Sequence, residues 1–390
     1  MSNQTISDQD TPDPWMISHG PNFYLTFTAG DRIEIWRSPN MENFRSCART
    51  VAWRPGPPEH PWFVDLWAPE LHHLNSTWYV YFTGAKPRNG PGTYNADRRT
   101  LILRSRSHDP MEAGAWEFLG QLRGLPDHWN IDLTVFHLPH TGRLYCCYSG
   151  WPMGDFSDRQ QDLFLAEMDG PEAAKHETVV CISRAELPWE RADQDTHGIN
   201  EGPAFVGVSV PPSAGSGPTV FQGIVYSANG SWTSDYRLGI LQLIDSADPL
   251  KQSSWRKRPT PLLVSDRQHG GPFGPGHASF ISSPHGDGRV YCIYHATEHF
   301  DQGWANRKAR VLCFDAQHFH PQAPTMCCAL ALTGQWSGGA AISNFSSPAP
   351  APAPALYQHQ QMQSGHGHGQ RKSLIDKIGD KILQKLREFA

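Results

Sequence analysis

Five short segments of this 390-residue chain each place a carboxylate or a histidine within or just ahead of an apolar run, and in four of them proline or glycine stands beside that residue. The segments are PDPWMI with Asp13, LWAPEL with Glu70, NIDLTVF with Asp132, INEGPAF with Glu201 and GPGHASF with His277. Successive polar residues are 57, 62, 69 and 76 positions apart. Carboxylates that share a site can act as general acid and general base. The recurrence therefore predicts that a repeated fold gathers these side chains for acid–base chemistry.

Strand-like couplets follow each of these segments. Apolar and polar residues alternate with a period of two in stretches such as NFYLTFTAG, TWYVYFTGA, RLYCCYSGW and RVYCIYHATE. Repeats of this length, each worth about four strands, are typical of β-propellers. Five repeats predict an all-β, five-bladed propeller over residues 1–333. The first strand of each blade lines the channel of a propeller, so the five polar residues are expected to converge at one end of it.

Composition supports an all-β or sugar-binding protein and gives no electrostatic case for nucleic-acid binding. Aromatic residues make up 11% of the chain, Gly and Pro number 35 and 33, and the formal net charge is −5. The eight cysteines lie mostly in apolar runs without a CxxC pair, which predicts buried free thiols and a reducing compartment.

The N-terminal stretch MSNQTISDQDTPDPW has neither the basic nor the apolar region of a secretory signal. No run reaches the roughly 18 apolar residues of a membrane span. Asp13 also lies too near Met1 for a signal to precede it within this chain. These features predict a cytoplasmic location in preference to unconventional secretion.

The C-terminal region changes character. Residues 334–370 are rich in Pro/Ala, Ser/Gly and Gln/His, which predicts a disordered, low-complexity linker. Residues 371–390 have apolar side chains at helical spacing and a basic opposite face, which predicts an amphipathic helix. Such a helix suits an anionic membrane surface or self-association, and docking on its own propeller is the alternative.

The five motifs in this order resemble glycoside hydrolase family 43, the five-bladed arabinofuranosidases, arabinanases and β-xylosidases, over roughly residues 10–330. The resemblance implies that Asp13 is the general base, Glu201 the general acid, and Asp132 the residue that raises the pKa of Glu201 and holds it in place. It also implies inversion at the anomeric carbon. The alternative for any single carboxylate before an apolar run is a turn or cap residue.

The same resemblance implies a hydrated calcium ion at His277, in the channel beneath the active site, although a histidine there is also commonly a simple hydrogen-bonding residue. No cofactor is expected for the chemistry itself. Arg307 is expected to approach the sugar or the catalytic carboxylates, with Arg310 as its competitor. Glu70 is expected to be structural.

Three tryptophans are candidates for a sugar-stacking wall. Trp67 could serve as that wall or pack between blades, and Trp15 and Trp232 are weaker candidates. The partners predicted for the site are oligosaccharides or polysaccharides that contain arabinose or xylose.

The resemblance and the compact build favour an exo-acting α-L-arabinofuranosidase on arabinan or arabino-oligosaccharides. A β-D-xylosidase of the same family is the first alternative. A catalytically silent glycan-binding propeller is the alternative from a different class, and the complete set of carboxylates disfavours it.

Overall fold

The computed structural model describes residues 5–56, 64–86, 95–210, 219–283 and 288–328. The predicted linker at 334–370 and the predicted helix at 371–390 lie outside the described residues, so these predictions and the proposed role of the helix stay untested. Within the described ranges, no helix is long and apolar enough to cross a membrane.

Antiparallel sheets of three or four main strands form five blades, which confirms the predicted all-β propeller. Blade 1 contains Trp15–His19, Asn22–Thr26, Ile33–Ser38 and Ala48–Trp53. Blade 2 contains Val64–Leu74, Thr77–Ala85, Arg98–Ser105 and Trp116–Gln121. Blade 3 contains Asn130–Leu138, Arg143–Gly150, Gln160–Gly170 and Val180–Ser183. Blade 4 contains His197–Val210, Thr219–Ala228, Arg237–Leu243 and Trp255–Lys257, and blade 5 contains Phe273–Ser282, Arg289–Thr297 and Lys308–Asp315.

Short elements complete the described chain. Four two-residue strands pair at blade edges, namely Ala173–Ala174, Arg191–Ala192, Leu263–Val264 and Met326–Cys327. Single 3₁₀ turns are Asn95–Asp97, His176–Thr178, Pro188–Glu190, Gln252–Ser254 and Ala316–Phe319. Blades 3 and 4 are additionally joined by a parallel pairing of Gln160 with Gly198 and of Gln161 with Ile199.

The hydrophobic core is divided into clusters that each lie between two neighbouring blades. One cluster joins blades 5 and 1 through residues such as Trp36 and Ile293, and others join blades 1 and 2, 2 and 3, 3 and 4, and 4 and 5. Both faces of every blade are therefore buried, and strands such as Thr77–Ala85, Arg143–Gly150 and Arg289–Thr297 are buried at nearly every position. All eight cysteines are free, as the sequence predicts, and half of them are buried.

The N-terminal segment closes the propeller. The Ile6 N–H donates to the Ala309 carbonyl at 3.0 Å, and the Thr11 N–H donates to the Arg307 carbonyl at 2.8 Å. Thr5 and Arg310 form an antiparallel bridge. This segment therefore lies along the last strand of blade 5, the blade with three main strands, and ties the start of the chain to the final repeat. The sequence analysis did not predict this closure.

We expect Ile6→Ala to lower the free energy of unfolding by about 2–4 kcal/mol, because Ile6 is 1% exposed in the cluster between blades 5 and 1. Urea denaturation of both chains measures the change. Ile244→Ala is the matched control, since Ile244 is 39% exposed and its truncation should cost less than about 1 kcal/mol. Equal effects of the two substitutions would mean that the N-terminal segment does not stabilise the closure of the propeller.

Candidate active site

One backbone feature recurs at the channel end of every blade's first strand. A residue there adopts positive φ: Asp13 at 53°, Ala68 at 43°, Asp132 at 55°, Gly202 at 52° and His277 at 45°. The strand pairing shifts register beside this residue in blades 2, 3, 4 and 5, as at a β-bulge. Bulges redirect side chains and are common beside active sites. The repeat thus turns Asp13, Asp132 and His277 into the channel.

The backbone N–H of each of these residues is bonded to the preceding blade. Ala68 donates to Thr28 Oγ1 at 2.7 Å, Asp132 to Thr83 Oγ1 at 3.3 Å, and His277 to Ser227 Oγ at 2.7 Å. Asp13 donates to His295 Nδ1 at 2.9 Å, and Gly202 donates to Asp132 Oδ2 at 3.1 Å. These five bonds form a ring that passes through all five blades. We call it the inter-blade ring.

The sequence contains a signal for the acceptors of the inter-blade ring that the sequence analysis missed. At the end of each second strand, an aromatic residue precedes Thr, Ser or His, and Ala or Gly follows, in the tripeptides FTA, FTG, YSG, YSA and YHA. Four of these middle residues, Thr28, Thr83, Ser227 and His295, accept a backbone N–H bond of the inter-blade ring. The fifth, Ser149, instead donates to the Asn200 carbonyl at 2.8 Å, one residue before Glu201.

The structure corrects the alignment of blade 2. Ala68, and not Glu70, occupies the position equivalent to Asp13 and Asp132. Glu70 lies two residues further along and is 3% exposed, with its carboxylate 2.8 Å from His72 Nε2. Burial raises the pKa of Glu70 well above its usual range. Its contacts are those of a structural residue, as expected.

Asp13, Asp132 and His277 meet at the channel. His277 Nδ1 lies 3.3 Å from Asp13 Oδ1 and 4.0 Å from Asp132 Oδ2, and Thr28 Oγ1 donates to Asp13 Oδ2 at 2.7 Å. The Asp13 side chain is 23% exposed, whereas that of Asp132 is 6% exposed. Burial raises the pKa of Asp132 to about 6, and the Asp13 charge raises it while His277 lowers it. Water can therefore reach Asp13 but hardly Asp132.

The surroundings of Glu201 favour the protonated form of its carboxyl. The residue is 8% exposed, and burial followed by the negative charge of Asp132 raises the pKa of its carboxyl well above the usual range. The Tyr236 hydroxyl hydrogen-bonds to the Glu201 side chain and opposes this rise. A buried carboxyl that keeps its proton near neutral pH has the property required of a general acid.

Tyr236 is a site residue that the sequence analysis missed. It is 1% exposed, hydrogen-bonds to Ser227 as well as Glu201, and stacks on His295 with ring centroids 5.7 Å apart. A Cβ on Gly276 would lie 1.9 Å from the Tyr236 ring, so only glycine allows this close approach. Nothing local in YRLGIL distinguishes this tyrosine from any aromatic residue at the start of a strand.

A buried polar network lies directly behind Glu201. The Asn200 side chain donates to Glu190 Oε1 at 2.9 Å, and its Oδ1 accepts from Lys257 Nζ at 3.1 Å. Lys257 Nζ also lies 2.7 Å from Glu190 Oε1, and Glu190 is 0% exposed. Burial lowers the pKa of Lys257, although Glu190 opposes this. This network fixes the backbone of the residue that precedes the acid.

The two candidate arginines, Arg307 and Arg310, have different surroundings. Arg307 is 2% exposed, donates to the carbonyls of Gly274 and Gly303 at 3.1 Å each and to that of Ser231, and lies near Asp13 and Glu201, whose charges act on it. Burial lowers its pKa to about 10, so it stays positively charged at neutral pH. Arg310 instead faces Glu298 at 3.7 Å. Of the two, Arg307 is therefore the cation of the site.

Trp232 stands at the rim and is paired with a tryptophan that the sequence analysis did not name. Trp232 and Trp304 are T-shaped, with ring centroids 5.9 Å apart, and both are partly exposed. The Trp304 indole donates to Ser231 Oγ at 3.1 Å, and the Ser231 carbonyl accepts from Arg307. The pair is thus connected to the buried cation of the site.

The other two tryptophans have different surroundings. The Arg98 guanidinium lies over the Trp67 ring, 3.1 Å from its centroid, and Trp67 remains partly exposed. Trp15 donates its indole N–H to the Leu71 carbonyl at 2.9 Å and packs against His72, so its described contacts are those of the seam between blades 1 and 2.

A metal site was predicted at His277. Among the described residues, no group of three or more His, Cys, Asp or Glu side chains is arranged to hold a metal ion. The ring nitrogen Nδ1 of His277 faces Asp13, and no cluster of oxygen ligands of the kind that calcium prefers accompanies it. The predicted ion would have His277 as its one protein ligand with waters around it, so the calcium ion stays a prediction.

A propeller that presents an accessible carboxylate and a buried carboxyl with a raised pKa at one end of its channel has the fold and the groups of a glycoside hydrolase. The family model described as Glycosyl hydrolases family 43 matches residues 2–320. The chain belongs to that family, as the motif resemblance predicts.

Its relatives include arabinofuranosidases. The chain is 29% identical over 290 residues to an extracellular exo-α-(1→5)-L-arabinofuranosidase of Streptomyces chartreusis, a match that covers 74% of this chain and 80% of the relative. A protein of the same description from Streptomyces avermitilis is 29% identical over 297 residues, but this chain spans only 55% of its length. The crystal structure of an α-L-arabinofuranosidase from Lactobacillus brevis matches with a TM-score of 0.67 at 26% identity, over 78% of this chain and 90% of that one.

We expect Asp132→Asn to move the alkaline limb of the pH profile of kcat/KM to lower pH. The negative charge of Asp132 raises the pKa of Glu201, so a neutral amide lowers that pKa and the acid loses its proton at lower pH. The measurement is kcat/KM against pH on a glycoside with a poor leaving group.

Asp266→Asn is the matched control, because Asp266 is also fully buried but is not among the charges that act on Glu201. Its alkaline limb should match that of the unmodified chain. An alkaline limb that stays in place or rises in Asp132→Asn would contradict the assigned coupling.

Proposed function

We propose that this chain is an exo-acting, inverting α-L-arabinofuranosidase that releases arabinose from arabinan or arabino-oligosaccharides. The observation that carries the mechanism is the contrast between two carboxyl groups. Asp13 is 23% exposed and bonded to a hydroxyl, while Glu201 is 8% exposed with a strongly raised pKa. One group is suited to accept a proton from water, and the other is suited to donate one.

Asp13 acts as the general base. Its Oδ2 accepts from Thr28, and its backbone N–H is held by His295, so the carboxylate is oriented from both sides. Burial lowers the pKa of His295 well below its usual range, which leaves the ring neutral and Nδ1 free to accept that N–H. The oriented carboxylate takes a proton from a water molecule as that water attacks the anomeric carbon.

Glu201 acts as the general acid and gives its proton to the departing glycosidic oxygen. Asp132 supports this step in two ways. Its charge keeps Glu201 protonated, and its Oδ2 accepts the N–H of Gly202, which fixes the residue beside the acid. The buried Arg307 guanidinium offsets the negative charge of the cluster before and after proton transfer.

The names of the relatives favour arabinose over xylose as the released sugar. Two curated relatives are described as exo-acting arabinofuranosidases, and the Lactobacillus brevis structure is described as an arabinofuranosidase. The β-D-xylosidase alternative is tested by the ratio of kcat/KM on an aryl α-L-arabinofuranoside and an aryl β-D-xyloside. A higher value on the xyloside would replace the proposed specificity but not the proposed mechanism.

The roles of Asp13 and Glu201 are separable by leaving group. Glu201→Gln should lower kcat/KM by at least about 10²-fold on an arabinoside with an alkyl leaving group. The same variant should stay within about tenfold on a dinitrophenyl arabinoside, because that oxygen departs without a proton. Asp13→Asn should lose at least about 10²-fold on both substrates, since the attacking water still lacks its base.

Glu167→Gln serves as a matched control, because Glu167 is 6% exposed but its partners are Lys175 and Arg143 on the outer part of blade 3. It should leave both rates near those of the unmodified chain, with thermal melts showing that every variant is folded. Equal losses on both substrates in Glu201→Gln would remove its role as acid. Near-normal activity in Asp13→Asn would remove its role as base.

A further inference from the structure

A cavity of about 640 Å³ lies at the seam between blades 3 and 4. Its lining comes from the start of the third strand of blade 3 and from the loop that precedes blade 4, and includes Gln160, Arg184, Glu186, Arg191 and Asp195. None of the residues assigned to catalysis lines it. Its volume is within the range of pockets that bind small ligands.

The strand that carries the general acid borders this cavity. Gln160 pairs with Gly198 from one side and Arg191 pairs with it from the other. The Gly198 Cα lies close to the ends of the Gln160 and Arg191 side chains, and a Cβ there would lie 2.8 Å from the backbone oxygen of Ala185, which favours glycine at this position. Gly198 precedes Glu201 by three residues, which is about 10 Å along an extended strand. The cavity thus begins a short distance from the acid.

The role of Glu201 as general acid determines which part of a substrate lies on the same side as the cavity. A general acid protonates the oxygen that joins the cleaved sugar to the rest of the glycan, so the leaving portion must lie on the acid's side of the bond. The strand from Glu201 to Gly198 leads from that oxygen toward the cavity. A glycan that extends from its leaving oxygen along this strand reaches Gln160 and Arg191.

The lining suits a neutral, hydroxyl-rich ligand. Arg184 and Glu186 are exposed, and Arg191 pairs with Asp195 in the opposite wall. Guanidinium and carboxylate groups supply donors and acceptors for sugar hydroxyls, while their mixed signs favour no strongly charged ligand. Six of the nine lining residues have polar or charged side chains.

Trp232, a candidate for the aromatic wall, contacts the loop that contributes Arg191 and Asp195 to the cavity. The loop that carries Arg191 and Asp195 also carries Asp193, and the Trp232 indole N–H lies 3.4 Å from Asp193 Oδ1. Asn229, just before Trp232, donates its amide to the Arg191 carbonyl at 2.8 Å. An aromatic surface beside a polar cavity is a common arrangement for sugar recognition, because sugars have both apolar faces and hydroxyl edges.

We infer that this cavity binds the leaving portion of an oligosaccharide substrate, beyond the first sugar that follows the cleaved bond. The inference rests on the proposed function, because it uses Glu201 as the acid. It assigns Arg184 and Glu186 to substrate length specificity and gives them no part in bond cleavage. It also implies that the preferred substrate is a glycan chain of at least three pentoses and not a simple arabinoside.

The test compares a long and a short substrate in the full chain. Arg184→Ala/Glu186→Ala should lower kcat/KM on arabinotriose by at least about tenfold, mostly through KM, because contacts to a remote sugar are lost. The same variant should stay within about twofold on a nitrophenyl arabinofuranoside, whose leaving group ends before the cavity. Arg123→Ala/Glu177→Ala is the matched control, since both residues are exposed, lie outside the cavity lining and give the same charge change.

Equal losses on both substrates, or none on arabinotriose, would overturn the inference. A calorimetric titration of arabinotriose into Glu201→Gln, with and without the Arg184→Ala/Glu186→Ala pair, tests the cavity without turnover. An increase in Kd of about tenfold supports the subsite even if the assigned role of Glu201 fails, and an unchanged Kd refutes it. Arabinotriose that is neither cleaved nor bound by the unmodified chain would count against both the subsite and the proposed function.

Discussion

The backbone N–H that each blade donates to its predecessor is the contact on which the site depends. Each donor has positive φ, a conformation that costs non-glycine residues about 1–3 kcal/mol. One hydrogen bond contributes only about 0.5–1.5 kcal/mol, but a buried N–H without a partner costs more. The inter-blade ring therefore holds the bulged backbone in place, and the bulge directs Asp13, Asp132 and His277 into the channel. Because the ring is closed, displacing one blade disturbs the bonds on both of its sides.

The N-terminal segment stabilises the same closure. Thr11, two residues before Asp13, donates its backbone N–H to the Arg307 carbonyl of blade 5.

The buried carboxylates that make the site reactive also lower the free energy of unfolding. Burial raises the pKa of Asp132 from 3.8 to about 6, so the unfolded chain releases this proton first as pH rises. The free energy of unfolding therefore falls as pH increases through that interval, and Glu201 adds a change of the same sign because its pKa is also raised. Arg307 and His277 reduce this cost by placing a cation and a hydrogen-bonding ring beside the carboxylates. Asp13 and Glu201 differ in exposure, at 23% for the Asp13 side chain and 8% for Glu201.

Residues repeated at blade intervals were predictable, and residues brought in by long-range pairing were not. The motifs around Asp13, Asp132, Glu201 and His277 mark four of the five channel positions, with Gly202 beside Glu201 at the position in blade 4, and the structure brings these four side chains together. Blade 2 was misaligned by two residues, because LWAPEL offers a carboxylate near the place where the backbone requires Ala68. Tyr236 and Trp304 carried no local pattern, since their roles come from contacts with other blades. The bond of Asp13 to His295 joins residues 282 positions apart, and no local motif encodes such a pairing.

The stereochemistry of the first product tests the central claim most directly. If water held by Asp13 attacks from the side opposite the bond that Glu201 protonates, a single displacement inverts the anomeric carbon. Proton NMR during hydrolysis of an aryl α-L-arabinofuranoside, recorded before mutarotation, distinguishes the two anomers of free arabinose. The account predicts that β-arabinofuranose appears first and that the α-anomer follows only as equilibrium is approached. An initial burst of α-arabinofuranose would contradict it, because retention requires a covalent intermediate on a carboxylate in place of a general base.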